Sequence, residues 1–183
     1  MLAVLAAALF AAVPGVAHEL DSSRATILLR DGNHVSMTLY INLPEVLRRT
    51  LAPERGFGEF VLVYSAMAPD KFRDAVRAAE TRLAEATRLT DATGAAPARS
   101  GWTWPDAERT QAEFRTLAAA FLTAPGEPPH DDPVAVHAEF QTARPTSSLK
   151  VTFPPQLDAV LTVYYRPQQV WLGPGRPSPP LNF

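Results

Sequence analysis

The sequence has no cysteine among its 183 residues, which excludes disulfide bonds, thiolate metal sites, iron–sulfur clusters and cysteine nucleophiles. It also has no excess of either charge, because 17 Lys and Arg stand against 19 Asp and Glu. Without a basic surplus to neutralise phosphate groups, we expect no nucleic-acid partner. The fold must therefore be stabilised by burial of its apolar residues, which make up 46% of the chain, an ordinary share for one globular domain.

The motifs of several large enzyme classes are missing as well. The sequence contains no G-x-S-x-G nucleophile elbow, no G-x-x-x-x-G-K-[ST] phosphate loop and no G-x-G-x-x-G dinucleotide fingerprint. Its acidic residues are dispersed, and no pair of them stands out as an acid/base couple. We therefore predict no catalytic residues and a non-enzymatic function.

The first 17 residues, MLAVLAAALFAAVPGVA, have the pattern of a secretory signal peptide. The apolar stretch over 2–13 is shorter than the roughly 20 residues that a membrane helix needs, and the small residues Gly15 and Ala17 suit positions −3 and −1 of a cleavage site. A basic region before the apolar stretch is missing. We expect cleavage between Ala17 and His18, a periplasmic or secreted location, and no membrane span in the mature chain.

Hydrophobic periodicity predicts the elements of the mature chain. Alternation, as in Val35, Met37, Leu39 and Ile41, is typical of half-buried strands, whereas spacings of three and four, as in Phe72, Val76, Ala79 and Leu83, indicate an amphipathic helix. In chain order we predict a hairpin over 24–41 with its turn at Asp31-Gly32-Asn33, a helix over 45–51, a strand over 59–65, a helix over 69–90, a linker over 94–101, a helix over 106–122, and strands over 134–141, 149–153, 159–165 and 168–172.

This order predicts an α+β fold: a mostly antiparallel β-sheet or a small β-sandwich with a central two-helix insertion. We expect a single domain over 18–172 and a proline-rich C-terminal tail over 173–183 that is extended or disordered.

The four histidines are the candidate metal ligands, since imidazole suits copper and zinc. Once cleavage makes His18 N-terminal, its α-amine and its ring can chelate one ion, and His34 or His137 can add the third nitrogen that Cu(II) favours. The alternative for His34 and His137 is an exposed position on the polar face of a strand. His130, in a proline-rich loop beside two aspartates, reads more simply as a solvated turn.

Trp102 and Trp104 leave two interpretations open. They can form a stacking platform for a sugar, or they can anchor a loop onto the core, which is the commoner role of tryptophans between a glycine and a proline. The charges of the 69–90 helix, including Glu80, are most simply read as its solvated face.

The start of the mature chain resembles the extracytoplasmic N-terminal region that precedes the membrane part of HupE/UreJ-like proteins. The resemblance rests on Ala17-His18-Glu19, the run over 26–29, and the step from Leu43-Pro44 to Leu47. It implies a periplasmic relative or accessory protein. No membrane helices follow, so the nickel or cobalt transport that the family name suggests would not be done by this chain alone.

An N-terminal histidine on a β-rich domain is also similar to small periplasmic copper carriers and to lytic polysaccharide monooxygenases, although only His18 carries this likeness and the lack of cysteine argues against the monooxygenases. We therefore expect a non-enzymatic exported binding or accessory protein of the cell envelope, with an envelope protein as a candidate partner. The alternative is a periplasmic copper-handling protein whose metal ligands are His18, His137 and His34.

Overall fold

The structure is a computed structural model, and it describes residues 23–30, 32–123, 132–167 and 171–180. Within these ranges the elements are, in chain order, β1 (Ser23–Arg30), β2 (His34–Ile41), α1 (Leu43–Leu51), α2 (Phe57–Ser65), α3 (Pro69–Ala86), β3 (Arg88–Asp91), β4 (Arg99–Thr103), α4 (Ala107–Thr123), β5 (Val134–Gln141), β6 (Leu149–Thr152), a 3-10 turn (Pro155–Leu157) and β7 (Val160–Tyr165).

The main sheet has five strands in the order β4-β5-β2-β1-β7. All neighbours are antiparallel except β1 and β7, which run parallel. Strands β3 and β6 form a separate antiparallel pair. The predicted α+β class with a mostly antiparallel sheet is confirmed. The predicted hairpin is confirmed too, and Gly32 adopts a φ of 75° in its turn, a conformation that glycine reaches without steric cost.

One face of the main sheet is buried and the other is open. The inner face carries the alternating apolar side chains of β2, which are at most 2% exposed. At one end of this face the sheet packs against helices α1 to α4, and at the other end it packs against the small β3–β6 sheet. The outer face carries His34, Ser36 and Thr38 of β2, which are exposed or half-buried.

Three phenylalanines from three helices meet in the centre of the helical layer. Phe114 of α4 contacts Phe60 of α2 and Phe72 of α3 edge-to-face, with centroid distances of 5.7 and 5.4 Å. None of the three is more than 1% exposed. This geometry is the favoured one for aromatic pairs, and it fixes α3 and α4 beside each other.

The strand predicted over 59–65 is wrong, because this segment is helix α2. Its run of β-branched and aromatic residues favours a strand locally, but Phe60 and Tyr64 lie on one side of a helix with their rings 4.1 Å apart, and Phe60 and Val61 are fully buried against the core. Tertiary packing therefore overrides the local preference for a strand. Periodicity cannot distinguish a strand from a buried helix in so short an apolar run.

Two boundaries also differ from prediction. The helix expected to reach residue 90 ends at Ala86, and strand β3 begins at Arg88. The apolar Leu89 therefore packs in the small sheet and not on the apolar face of the helix. The end of the linker expected over 94–101 belongs to β4. The helical part is thus larger than a two-helix insertion, with four helices in the described part of the chain.

Several expectations lie partly or wholly outside the described residues: the signal peptide over 1–17, His18, His130 and the tail end over 181–183. In the strand expected over 168–172, only Trp171 and Leu172 are described, and they belong to no strand. No helix of the described ranges is both long enough and apolar enough to cross a membrane.

Candidate functional site

The two described histidines lie on the open face of the main sheet but not together. His34 Nε2 donates to Glu139 Oε2 over 2.6 Å, and His137 Nδ1 shares a hydrogen bond of 3.2 Å with Thr38 Oγ1. His137 lies opposite Thr38, which is four residues along β2 from His34. This offset separates their backbone positions by about 13 Å along the strand direction, and each ring is held by a different cross-strand partner.

The described ranges contain no group of three or more His, Cys, Asp or Glu side chains that could hold a metal ion. The pair of His34 and Glu139 is about half exposed on both sides, and its contribution to stability is correspondingly small. His18 and His130 lie outside these ranges. The copper site built on the N-terminal His18 therefore stays a prediction.

A shallow groove that is open to solvent lies beside the edge strand β4, between helix α3 and the segment that joins β4 to α4. Its volume is about 450 Å³. We call it the tryptophan groove. It is lined by Arg73, Val76, Arg77, Glu80, Trp102, Thr103, Trp104, Pro105, Asp106 and Ala107.

Trp102 and Trp104 form the aromatic wall of this groove. As residues i and i+2 of an extended segment they point to the same side, and their rings stack with centroids 5.6 Å apart and planes 15° from parallel. Trp102 also contacts Phe140 edge-on at 5.9 Å. Trp102 therefore anchors the segment to the core, as one interpretation expected, while both rings remain partly exposed to the groove.

Helix α3 supplies the polar wall. Arg73, Arg77 and Glu80 are spaced by four and three residues, which places them on one helical face, and all three line the groove. Burial raises the pKa of the Glu80 carboxyl, and the neighbouring Arg77 charge opposes this rise only in part. Glu80 thus accepts a proton more readily than an ordinary glutamate does.

Asp106 closes the end of the groove at the start of α4. Its Oδ1 accepts hydrogen bonds from the backbone N–H groups of Glu108 and Arg109, at 2.9 and 3.1 Å, which is the geometry of a helix cap. Across the groove, Arg73 lies 3.7 Å from the Glu108 carboxylate. Asp106 therefore has a structural role that occupies one of its two oxygens.

The formal charges lining the groove cancel. Arg73 and Arg77 are balanced by two carboxylates, Glu80 and Asp106. A site for a strongly anionic or cationic ligand would carry an excess of the opposite charge. A charge-balanced lining of donors and acceptors beside flat apolar rings favours an uncharged ligand that is rich in polar groups.

A smaller groove of about 260 Å³ continues along the same helix. It shares three lining residues with the first, Glu80, Trp102 and Trp104, and adds Thr81, Ala84 and Glu85. The stacked indoles therefore border both spaces. The two grooves together have room for an elongated ligand that lies in both and contacts the tryptophan pair between them.

Replacing Glu80 with glutamine is expected to flatten the pH profile of stability. Because folding raises the pKa of Glu80, the native chain loses stability as pH rises from the ordinary value of about 4.3 through the raised one. E80Q lacks this loss and should be more stable at neutral pH by less than about 1 kcal/mol, since solvent screens this half-exposed group. Urea unfolding across this pH range measures the free energy of unfolding, with Glu85→Gln, at an exposed glutamate of the same helix, as control. An identical pH dependence in E80Q and the native chain would contradict this prediction.

No family model, no curated protein and no solved structure matches this chain. The resemblance of its first third to HupE/UreJ-like proteins accordingly stays a prediction.

Sequence reasoning found one wall of the groove and missed the other. The sequence indicates Trp102 and Trp104 as a candidate stacking platform, whereas Arg73 and Arg77 carry no local signal and the charge of Glu80 predicts part of a solvated face. Their spacing does place them on one side of α3. Nothing in the sequence indicates that this side faces the tryptophans.

Proposed function

We propose that this chain is a non-enzymatic, exported binding protein of the cell envelope that holds an uncharged saccharide in the tryptophan groove. The observation that carries this proposal is the stacked pair of Trp102 and Trp104 beside a charge-balanced polar wall. A site of this kind, with aromatic lining and a few convergent polar groups, is typical of small-ligand binding.

A sugar ring matches both walls of the groove. Its C–H face is flat and apolar and packs on an indole ring, which offers a large rigid contact area. Its hydroxyl groups both donate and accept hydrogen bonds. Arg73 and Arg77 can donate to them, and Glu80 can accept from them, or donate to them when protonated.

The carboxylates of the groove do not form the couple that glycoside hydrolysis requires. That reaction needs two carboxyl groups that are both free to act on opposite sides of the bond. Asp106 Oδ1 is held by two backbone N–H groups of α4. Glu85 of the smaller groove lies on the same helix as Glu80, so it does not face Glu80 from the other side of a bound sugar. This supports binding without hydrolysis.

Export and an accessory role in the envelope rest on sequence arguments. They are the signal-peptide pattern over 1–17 and the resemblance of the mature N-terminus to an extracytoplasmic region. An exported location is consistent with a saccharide ligand, because cell-surface sugars lie outside the cytoplasmic membrane.

The test is calorimetric titration of the mature chain with glucose, N-acetylglucosamine, cellobiose and chitobiose. We expect at least one of them to bind, and Trp104→Ala to weaken this binding by about tenfold or more, because truncating a central aromatic contact removes a dominant part of the binding energy. Trp104 is chosen over Trp102 because Trp102 also packs on Phe140.

The matched control is Trp171→Ala, which removes a fully exposed tryptophan far along the chain. It should leave both affinity and stability unchanged. Absence of heat with all four sugars, or equal binding by Trp104→Ala and the native chain, would overturn the proposal.

A further inference from the structure

Strand β7 is an apolar strand at the edge of the main sheet. Within the described ranges it pairs on one side only, with β1. Its sequence, VLTVYY, contains no charge, no proline and no glycine. Leu161, Val163, Tyr164 and Tyr165 are between 48% and 80% exposed.

Edge strands of this kind are normally protected. Monomeric proteins place lysines, prolines or bulges in an exposed edge, because its unpaired N–H and C=O groups otherwise bind another strand. None of these protections occurs between Val160 and Tyr165. The first charged residues are Asp158 before the strand and Arg166 after it.

We propose that β7 is the interface for a second copy of this chain. The two β7 strands pair antiparallel about a two-fold axis and join the two sheets into one continuous sheet of ten strands. A two-fold axis is the commonest symmetry of homo-oligomers and places the same patch on both sides of the contact.

The direction of pairing follows from charge. A parallel pair would place Asp158 beside Asp158 of the second copy, and Arg166 beside its own counterpart. An antiparallel pair places the acidic end of each strand at the basic end of the other. Opposite charges across a strand pair are favourable and like charges are not.

The register follows from the two faces of the sheet. Residues that lie directly opposite each other in a ladder point to the same face. Leu161 and Val163 lie opposite Arg24 and Thr26 of β1, and hence on the outer face. Opposite residues share a face only if the two-fold axis passes through a residue and not between two residues. For a pairing centred on β7, that residue is either Thr162 or Val163.

The flanking charges select Thr162. With Thr162 on the axis, each Arg166 lies near Asp158 of the second copy, because both are four residues from the centre and stand just beyond the ends of β7. Arg49 contacts Oδ2 of Asp158, which leaves Oδ1 to accept from Arg166. In the same register Leu161 lies opposite Val163, so the exposed apolar side chains on the outer face cover one another.

The interface is small, and we expect a dissociation constant on the order of 10 μM. Sedimentation velocity at concentrations below and above this value measures the self-association of the native chain. The variant Val163→Lys is measured in the same way, and it places two lysines near the axis. We expect the native chain to dimerise and Val163→Lys to remain monomeric. The matched control is Val63→Lys on α2, since Val63 is 40% exposed against 48% for Val163, and it should dimerise like the native chain.

A cysteine crosslink tests the register, and the native chain offers no competing thiol. Residues on a two-fold axis between antiparallel strands have Cα atoms about 4.5–5.5 Å apart, within the range of a disulfide. Under mild oxidation Thr162→Cys should form a covalent dimer, whereas Ser100→Cys on the other edge strand, β4, should not. Because threonine and cysteine are similar in size, this variant keeps the test valid even if Val163→Lys fails to fold.

A native chain that stays monomeric at the highest concentration would overturn the proposal. So would equal self-association of Val163→Lys and the native chain, or equal crosslinking of Thr162→Cys and Ser100→Cys.

Discussion

Replacing Phe114 with alanine is expected to lower the free energy of unfolding by about 3–5 kcal/mol, the range for deleting a large side chain from a well-packed core. Phe114 is 0% exposed and contacts Phe60 and Phe72 edge-to-face. The substitution removes the edge-to-face contacts that Phe114 makes with α2 and with α3 at once. The cavity it leaves is lined by rings that cannot easily collapse into it.

Urea unfolding followed by far-UV circular dichroism measures this loss. The melting temperature should fall by about 2–4 °C for each kcal/mol in a chain of this size. Phe121→Ala is the matched control, because Phe121 is also on α4 and contacts a ring, Phe57 at 5.8 Å, but is only partly buried. Equal losses for the two variants would contradict a central role of Phe114.

Arg48→Met is expected to lower the free energy of unfolding by about 2–3 kcal/mol, because it leaves partly buried hydrogen-bond acceptors unsatisfied. Arg48 donates to both carboxylate oxygens of Glu45, at 2.8 Å each. It also donates to the backbone oxygens of Pro53 and Arg55, at 3.1 and 2.8 Å. Its side chain is 17% exposed, and it joins α1 to the turn before α2.

The same variant should change how stability depends on pH. Hydrogen bonds from Arg48, more than those from Arg49, hold the pKa of Glu45 below its ordinary value against the opposing effect of burial. The stability that Glu45 contributes is therefore complete above the ordinary pKa of about 4.3, and it is lost as pH falls through the lowered pKa. In Arg48→Met the pKa of Glu45 is lowered less, so the loss should be smaller and should be complete at a higher pH than in the native chain.

Unfolding in urea between about pH 2 and pH 7 measures both effects. Arg115→Met, an exposed arginine on α4, is the matched control and should keep the native profile within about 0.5 kcal/mol. An Arg48→Met profile parallel to the native one down to the lowest pH would show that Arg48 does not set the pKa of Glu45.

Much of the main sheet could be predicted from the sequence because half-buried strands carry a period of two. The alternation over 35–41 and again over 134–140 identifies β2 and β5, and the Asp-Gly pair in the sequence predicts the turn between β1 and β2. Helix α3 follows in the same way from its apolar stripe. In each case the residues that are buried repeat at the period of the element.

The same reasoning failed for α2, where the run FVLV fits a strand and a buried helix equally well. The structure turns this run into a helix because Phe60 and Val61 fill the space beside Phe114. It also failed for β4, a short edge strand with exposed residues, which has no buried alternation to detect.

The candidate site, too, could be predicted from the sequence only in part. Composition and neighbours along the chain suffice to predict an α+β chain without thiol chemistry, most of its strands and amphipathic helices, and a tryptophan pair able to stack. Tertiary packing is needed to bring Arg73, Arg77 and Glu80 to face Trp102 and Trp104. It also keeps His34 and His137 apart and leaves β7 at the edge of the sheet in the described part of the chain. These depend on how elements distant in sequence pack, and that packing maximises burial of the core rather than following any local pattern.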